Sequence, residues 1–196
     1  MLHHAQAILS HDMPTAIDEI EGVLDALTIP AGELVRGGGG EGDMTQRLRR
    51  ELAMHGWKKH NFTVTKLIDG VEKESISHEI DHVKAYSTGT IALEIEWNNK
   101  DPFYDRDLEN FKRLHADGVI SIGAIITRGT SLQDSMRSIV ADYATTNNLA
   151  SIAGLEPYYS PTSRQRALID KATARFGSFA EGWANVFVSD KFGEAT

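Results

Sequence analysis

The sequence predicts an α/β fold in one domain, and three stretches carry that prediction. Over residues 90–97, Ile91, Leu93, Ile95 and Trp97 alternate with Ala92, Glu94 and Glu96, the period of two that marks a strand. Residues 119–127 form a strongly apolar run bounded by Gly118 and Gly129, which reads as a buried strand. Between them, residues 104–115 place Leu108, Phe111 and Leu114 on one helical stripe. A strand, a helix and a strand joined by short links predict a parallel crossover.

The other elements follow in chain order. Residues 14–27 carry Ile17, Ile20, Val23, Leu24 and Leu27 at helical spacing, with Asp12 as the expected cap and Pro14 in the first turn. Such a helix packs on a core and implies no chemistry. The four glycines at 37–40 read as a flexible connector. A phosphate-cradling loop would need a Gly-Lys-Ser/Thr ending; a loop that orders against a ligand stays open. Asp43-Met44-Thr45-Gln46 resembles a capping box opening a helix to about Met54, with Gly56 ending it. That helix carries Arg47, Arg49 and Arg50, read as a solvated face or as phosphate contacts. A strand is expected over residues 61–68, followed by a turn at Asp69-Gly70. In the last third, residues 132–143 and 164–175 read as helices and residues 183–188 as a strand.

Composition bounds the function classes. At 196 residues the chain is long enough for one domain with a real core. It has no cysteine, which excludes disulfides, zinc–cysteine sites and thiol catalysis and fits a cytoplasmic location. Residues 1–10 lack a basic region and a long apolar run, so no signal peptide is expected. No stretch approaches the roughly 20 apolar residues of a membrane span. The net charge of −8 argues against a non-specific nucleic-acid coat protein, which is usually basic. A DNA enzyme with acidic metal ligands remains compatible with it if basic groups gather on one face.

Two constellations carry chemistry. In the strand at 90–97, Glu94 and Glu96 project from the same face. Paired carboxylates repel unless a positive group sits between them, and a hard divalent cation is the simplest such group. Asp81, thirteen residues upstream of Glu94, can reach the same place from a neighbouring strand. The competing reading is a solvated acidic face. The second constellation, His78-Glu79-Ile80-Asp81-His82, fits the H-E-x-x-H pattern of zinc metalloproteases. That chemistry needs both histidines on one helical face and a further ligand. The segment is short, has serines at its start and is closed by Ser87-Thr88-Gly89. A strand presenting Asp81 is therefore preferred, with His78 and His82 as ordinary polar residues or substrate neighbours.

The run Glu94-Ile95-Glu96-Trp97-Asn98-Asn99-Lys100-Asp101 resembles the BglII/BstYI family of type II restriction endonucleases. So do Tyr104-Asp105-Arg106-Asp107-Leu108, Ile120-Ser121-Ile122-Gly123 and Ile125-Ile126-Thr127-Arg128. The helix at 48–55 with Gly56-Trp57-Lys58 resembles the segment before that family's first core strand. The resemblance covers roughly residues 45–129. It implies a restriction-endonuclease-like PD-(D/E)xK core, a central mixed β-sheet flanked by helices, over about residues 43–130. It further implies a homodimer that cleaves double-stranded DNA at a short palindromic site, with GATC-containing sites as the expected type, using Mg²⁺.

By resemblance, Asp81, Glu94 and Glu96 occupy the catalytic acidic positions. Asp81, Glu94 and the Ile95 carbonyl would hold the metal, and Asn61, or else His60, would be a fourth polar residue. Ile80 stands where relatives carry a proline, and Glu96 where many carry a lysine, a departure shared by the BglII-like and BamHI-like branches. Asn98, Asn99, Lys100 and Arg128 have side chains of the types that read bases, and surface or loop-capping roles compete for each. The alternatives to a nuclease are a catalytically silent DNA- or protein-binding module on the same fold, and the zinc metalloprotease.

Overall fold

The computed structural model describes residues 4–36, 42–97 and 101–189. They form two compact units, residues 1–27 with 45–127 and residues 28–44 with 128–196.

The first unit contains a four-stranded mixed sheet in the order β1 (Lys58–Ile68), β2 (Val71–Tyr86), β3 (Gly89–Ile95) and β4 (Ile122–Ile126). β1 and β3 each pair antiparallel with β2, and β4 pairs parallel with β3. The β1–β2 hairpin turns at Asp69-Gly70, where both residues have positive φ, 51° and 77°. Asp-Gly suits such a turn because glycine meets no Cβ penalty there. Three helices belong to this unit: α1 (Ala5–Asp12), α2 (Pro14–Ala26) and α5 (Asp101–Ala116). A further helix, α4 (Asp43–Met54), lies mostly in it and buries Leu48 and Leu52. The expected cap Asp12 is instead the last residue of α1, and Met13 stands at the N-cap of α2 with Pro14 behind it.

The crossover from β3 through α5 to β4 is parallel, as the element order predicts. Ile80, Ala92, Phe111, Leu114 and Ile120 form its buried core. Phe111 lies directly on β4 at Gly123, where an added Cβ would stand 2.4 Å from the ring. The inward stripe of α5 differs from expectation. Leu108 is 54% exposed, whereas Asp107 is 2% exposed. Positions 107, 111 and 114 share one helical face, so the buried stripe runs through an aspartate.

The second unit contains α3 (Ala31–Val35), α6 (Thr130–Thr146), α7 (Ser163–Phe176) and α8 (Phe179–Ser189). α7 opens on a capping box, in which Gln165 N–H donates to Thr162 Oγ1 and the Thr162 N–H donates to Gln165 Oε1. The strand expected at 183–188 is a helix. Phe179, Trp183 and Phe187 recur every fourth residue, so the segment buries one helical stripe, and the Trp183 indole N–H donates to the Tyr159 hydroxyl at 2.6 Å. Gly182 allows α8 to meet α7, because a Cβ there would stand 2.5 Å from the Thr173 backbone nitrogen. Gly182→Ala is therefore expected to destabilise the protein by about 2 kcal/mol or more, overpacking that outweighs alanine's better helix propensity. Urea denaturation measures it; a neutral or stabilising result would mean that the two helices separate at little cost.

Candidate active site

β2 alternates buried His78, Ile80 and His82 with exposed Glu79 and Asp81. This strand geometry overturns the zinc-protease reading. In a strand, two residues four apart lie about 13 Å from one another along the chain, too far to bind one metal as the helical motif does. His78 and His82 are also 8% and 3% exposed, so they are interior groups and not surface polar residues. Burial lowers the pKa of His82, and the charge of Asp81 opposes the shift.

The register pairs His82 with Leu93 and Val83 with Ala92, which brings Asp81 opposite Glu94. Opposed residues of an antiparallel pair share a face, and the Asp81 N–H donates a long hydrogen bond to Glu94 Oε1 at 3.4 Å. The strand is buried more fully than its alternation predicts. Ile91, Ala92, Leu93 and Glu94 are all buried in turn, because the parallel crossover covers what the sequence pattern leaves as a polar face. Glu94 is 8% exposed. Burial, then the charges of Asp81 and Asp107, push its carboxyl up to about 8; Glu96 adds to the shift and the Asp81 N–H opposes it.

Glu96 follows the end of β3 and is held by its N–H, which donates to the Ile126 carbonyl at 2.8 Å. The Tyr104 hydroxyl bonds both the Glu96 carbonyl and Thr127. Asp81 and Glu94 thus come from two adjacent strands, and Glu96 from the residue just beyond β3. Among the described residues, no three His, Asp or Glu side chains converge on one metal position.

Sequence reasoning missed three residues. Lys59, at the bulge where β1 shifts register, places its ammonium 2.7 Å from Glu79 and 3.6 Å from Asp81. Its pKa is raised, chiefly by the hydrogen bond to Glu79. Arg106 donates from Nε to Asp107 Oδ1 at 2.9 Å and stands 3.9 Å from Glu96 Oε1; the bond to Asp107 raises its pKa. Asp107 is the third. Its spacing to Phe111 and Leu114 was the available signal. Lys59 left none, since a bulge has no sequence signature here.

The remaining candidates are less gathered. Asn61 pairs with Glu79, on the acids' side of β1, and its Oδ1 accepts from Ser77 Oγ at 2.6 Å. His60 pairs with buried Ile80 and packs on Phe62 with ring centroids 4.4 Å apart, which turns it from the acids. Ile95 is the last residue of β3. Arg128 belongs to the second unit, and Asn98, Asn99 and Lys100 lie outside the described residues.

The restriction endonuclease BglII/BglIII family model matches residues 1–196. The chain belongs to that family. No curated protein sequence matches it. The family match spans the whole chain, so it takes in the N-terminal helices and the last third, which no motif had connected to the family. The mixed sheet with flanking helices agrees with the α/β restriction-endonuclease fold of a BglII-type protein.

Proposed function

We propose that the chain is a type II site-specific endonuclease that hydrolyses phosphodiester bonds of double-stranded DNA with Mg²⁺. The observation that carries the proposal is the pairing of Asp81 and Glu94 across β2 and β3, on a protein of a restriction endonuclease family. A buried carboxyl raised to about 8 by burial and neighbouring acids is the donor environment that a divalent cation relieves.

The donor set fits magnesium. That ion commonly takes one or two protein carboxylates and completes its shell with water and phosphate oxygens, so a three-residue cage is not required. Asp81 and Glu94 would hold it, with the Ile95 carbonyl. When bound, it lowers the pKa of water and offsets charge on the phosphate under attack. Glu96, at the open end of β3, orients the attacking water and accepts its proton. Lys59 offsets the charge of Glu79 and Asp81, and its ammonium would face a DNA phosphate brought to the acids. Asn61 lies on the same face for a polar contact. Arg128, Asn98, Asn99 and Lys100 remain the proposed base-reading or backbone contacts.

Residues 1–196 act as one endonuclease domain in this reading. A palindromic target, of which a GATC-containing site is the expected form, requires two sites related by a two-fold axis, hence a homodimer. No helix among the described residues is long and apolar enough to cross a membrane, and the cytoplasm, where DNA is accessible, is the proposed location.

Incubation of the protein with unmethylated bacteriophage DNA and Mg²⁺ tests the proposal. Discrete fragments that vanish with EDTA and in Glu94→Ala are expected, and mapping their ends defines the site. Intact DNA in every lane, from folded protein, would leave a silent binding module instead.

A further inference from the structure

Asp107 is the one described residue of the acidic cluster held in the core by a helix. It is 2% exposed. Its Oδ1 is engaged by Arg106 Nε at 2.9 Å, while its Oδ2 is buried with no hydrogen-bond partner among the described residues. A buried carboxylate oxygen without a partner is costly, because it has given up its water without gaining another hydrogen bond. Leu108, next to it, is left exposed, although exchanging the two positions would bury an apolar group. Arg106 also stands 3.9 Å from Glu96 and thereby ties the helix to the end of β3.

We propose that Asp107 is an outer-sphere member of the cation site, its Oδ2 accepting a hydrogen bond from the cation's hydration shell. Arg106 fixes the other oxygen, so the free one has a set direction. An outer-sphere role agrees with the absence, among the described residues, of three acids on one metal position, and with magnesium's retention of several waters. Partners of this kind orient a metal's ligands, and their loss typically weakens metal binding by about 10- to 100-fold. Asp107 is a positioning residue here, since it touches neither DNA nor the reacting phosphate. The inference rests on the nuclease reading above.

Mn²⁺ serves as the probe, its free concentration read by electron paramagnetic resonance in titrations of the full chain without DNA. Wild type is expected to bind, and Glu94→Gln to lose binding. Asp107→Asn is expected to bind at least about tenfold more weakly, with its melting temperature in EDTA no lower than that of wild type. Asp107→Ser provides the same comparison should the amide fail to fold. Wild-type affinity in either folded Asp107 variant would overturn the inference and leave the nuclease reading intact. A loss of affinity matched by a lower melting temperature in EDTA would assign Asp107 a purely structural role and also overturn it. Failure of wild type to bind Mn²⁺, or undiminished binding by Glu94→Gln, would remove the nuclease reading and this inference together.

Discussion

Glu94→Gln is expected to lower DNA cleavage by about a thousandfold or more, while making the metal-free protein more stable at pH 8. The two effects have one cause. The Glu94 carboxyl is shifted from its ordinary value of 4.5 to about 8 by burial and by Asp81 and Asp107. Because the folded state holds this proton more tightly than the unfolded chain, folding stability falls as pH rises from 4.5 to about 8. Above that range the native state carries the full cost of a buried, repelled carboxylate, on the order of 2–4 kcal/mol. The isosteric amide removes this cost and should flatten the stability profile over the same window. Thermal melts in EDTA at pH 5 and pH 8, for wild type and variant, read it directly. An equal pH slope in both proteins would show that Glu94 is not the strained group. Adding Mg²⁺ at pH 8 should raise the melting temperature of wild type and leave the variant unmoved, since a ligand stabilises only the state that binds it.

Lys84→Met is expected to destabilise the fold by about 3–5 kcal/mol. Lys84 Nζ lies 2.6 and 2.7 Å from the two carboxylate oxygens of Glu19 and donates to the His55 carbonyl at 2.7 Å. The Glu19 carboxylate also accepts from the Tyr86 hydroxyl at 3.0 Å and from the Trp57 indole at 3.1 Å. The side chains of Lys84 and Glu19 are only 19% and 13% exposed, so solvent screens the pair weakly. Burial alone would push the Glu19 carboxyl up, but the bonds from Lys84, Tyr86 and Trp57 outweigh it and hold it below the ordinary range. Its stabilising contribution is thus present above the ordinary carboxylate pKa and lost as pH falls through the lowered one, opposite in sign to Glu94. Urea melts of Lys84→Met and of the double variant Glu19→Gln/Lys84→Met check the account. The double variant should recover part of the loss, because it no longer buries an unpaired carboxylate. If the single variant costs less than about 1 kcal/mol, the pair behaves as a surface salt bridge.

The network around Glu19 shows a limit of sequence reading. Within residues 14–27, amphipathic spacing separates apolar from charged residues and does not reveal a distant partner for Glu19. Lys84 is 65 residues away from Glu19, and only the tertiary fold places the two together. Asp107 was obscured in the same way: Leu108 looked like the third member of the apolar stripe, but the helix is rotated to bury the aspartate. Residues 183–188 taken alone are a short run with aromatic and β-branched residues that suits a strand or a helix. The recurrence of Phe179, Trp183 and Phe187 at every fourth residue, which marks the helix, starts outside residues 183–188.

The strands and the crossover were determined by the sequence itself. Period-two alternation, an apolar run between glycines and an Asp-Gly turn are local signals, because strand geometry and turn dihedrals depend on neighbouring residues. The acidic spacing from Asp81 through Glu94 to Glu96 was legible for the same reason, together with the family likeness it carries. Tertiary structure alone decided that Asp81 stands opposite Glu94, that Lys59 reaches Asp81 from a bulge, and that Asp107 is buried with one oxygen unpartnered. Register, burial and charge pairing depend on residues far apart in the chain, and their energies arise only when the sheet and helix exclude water from between them.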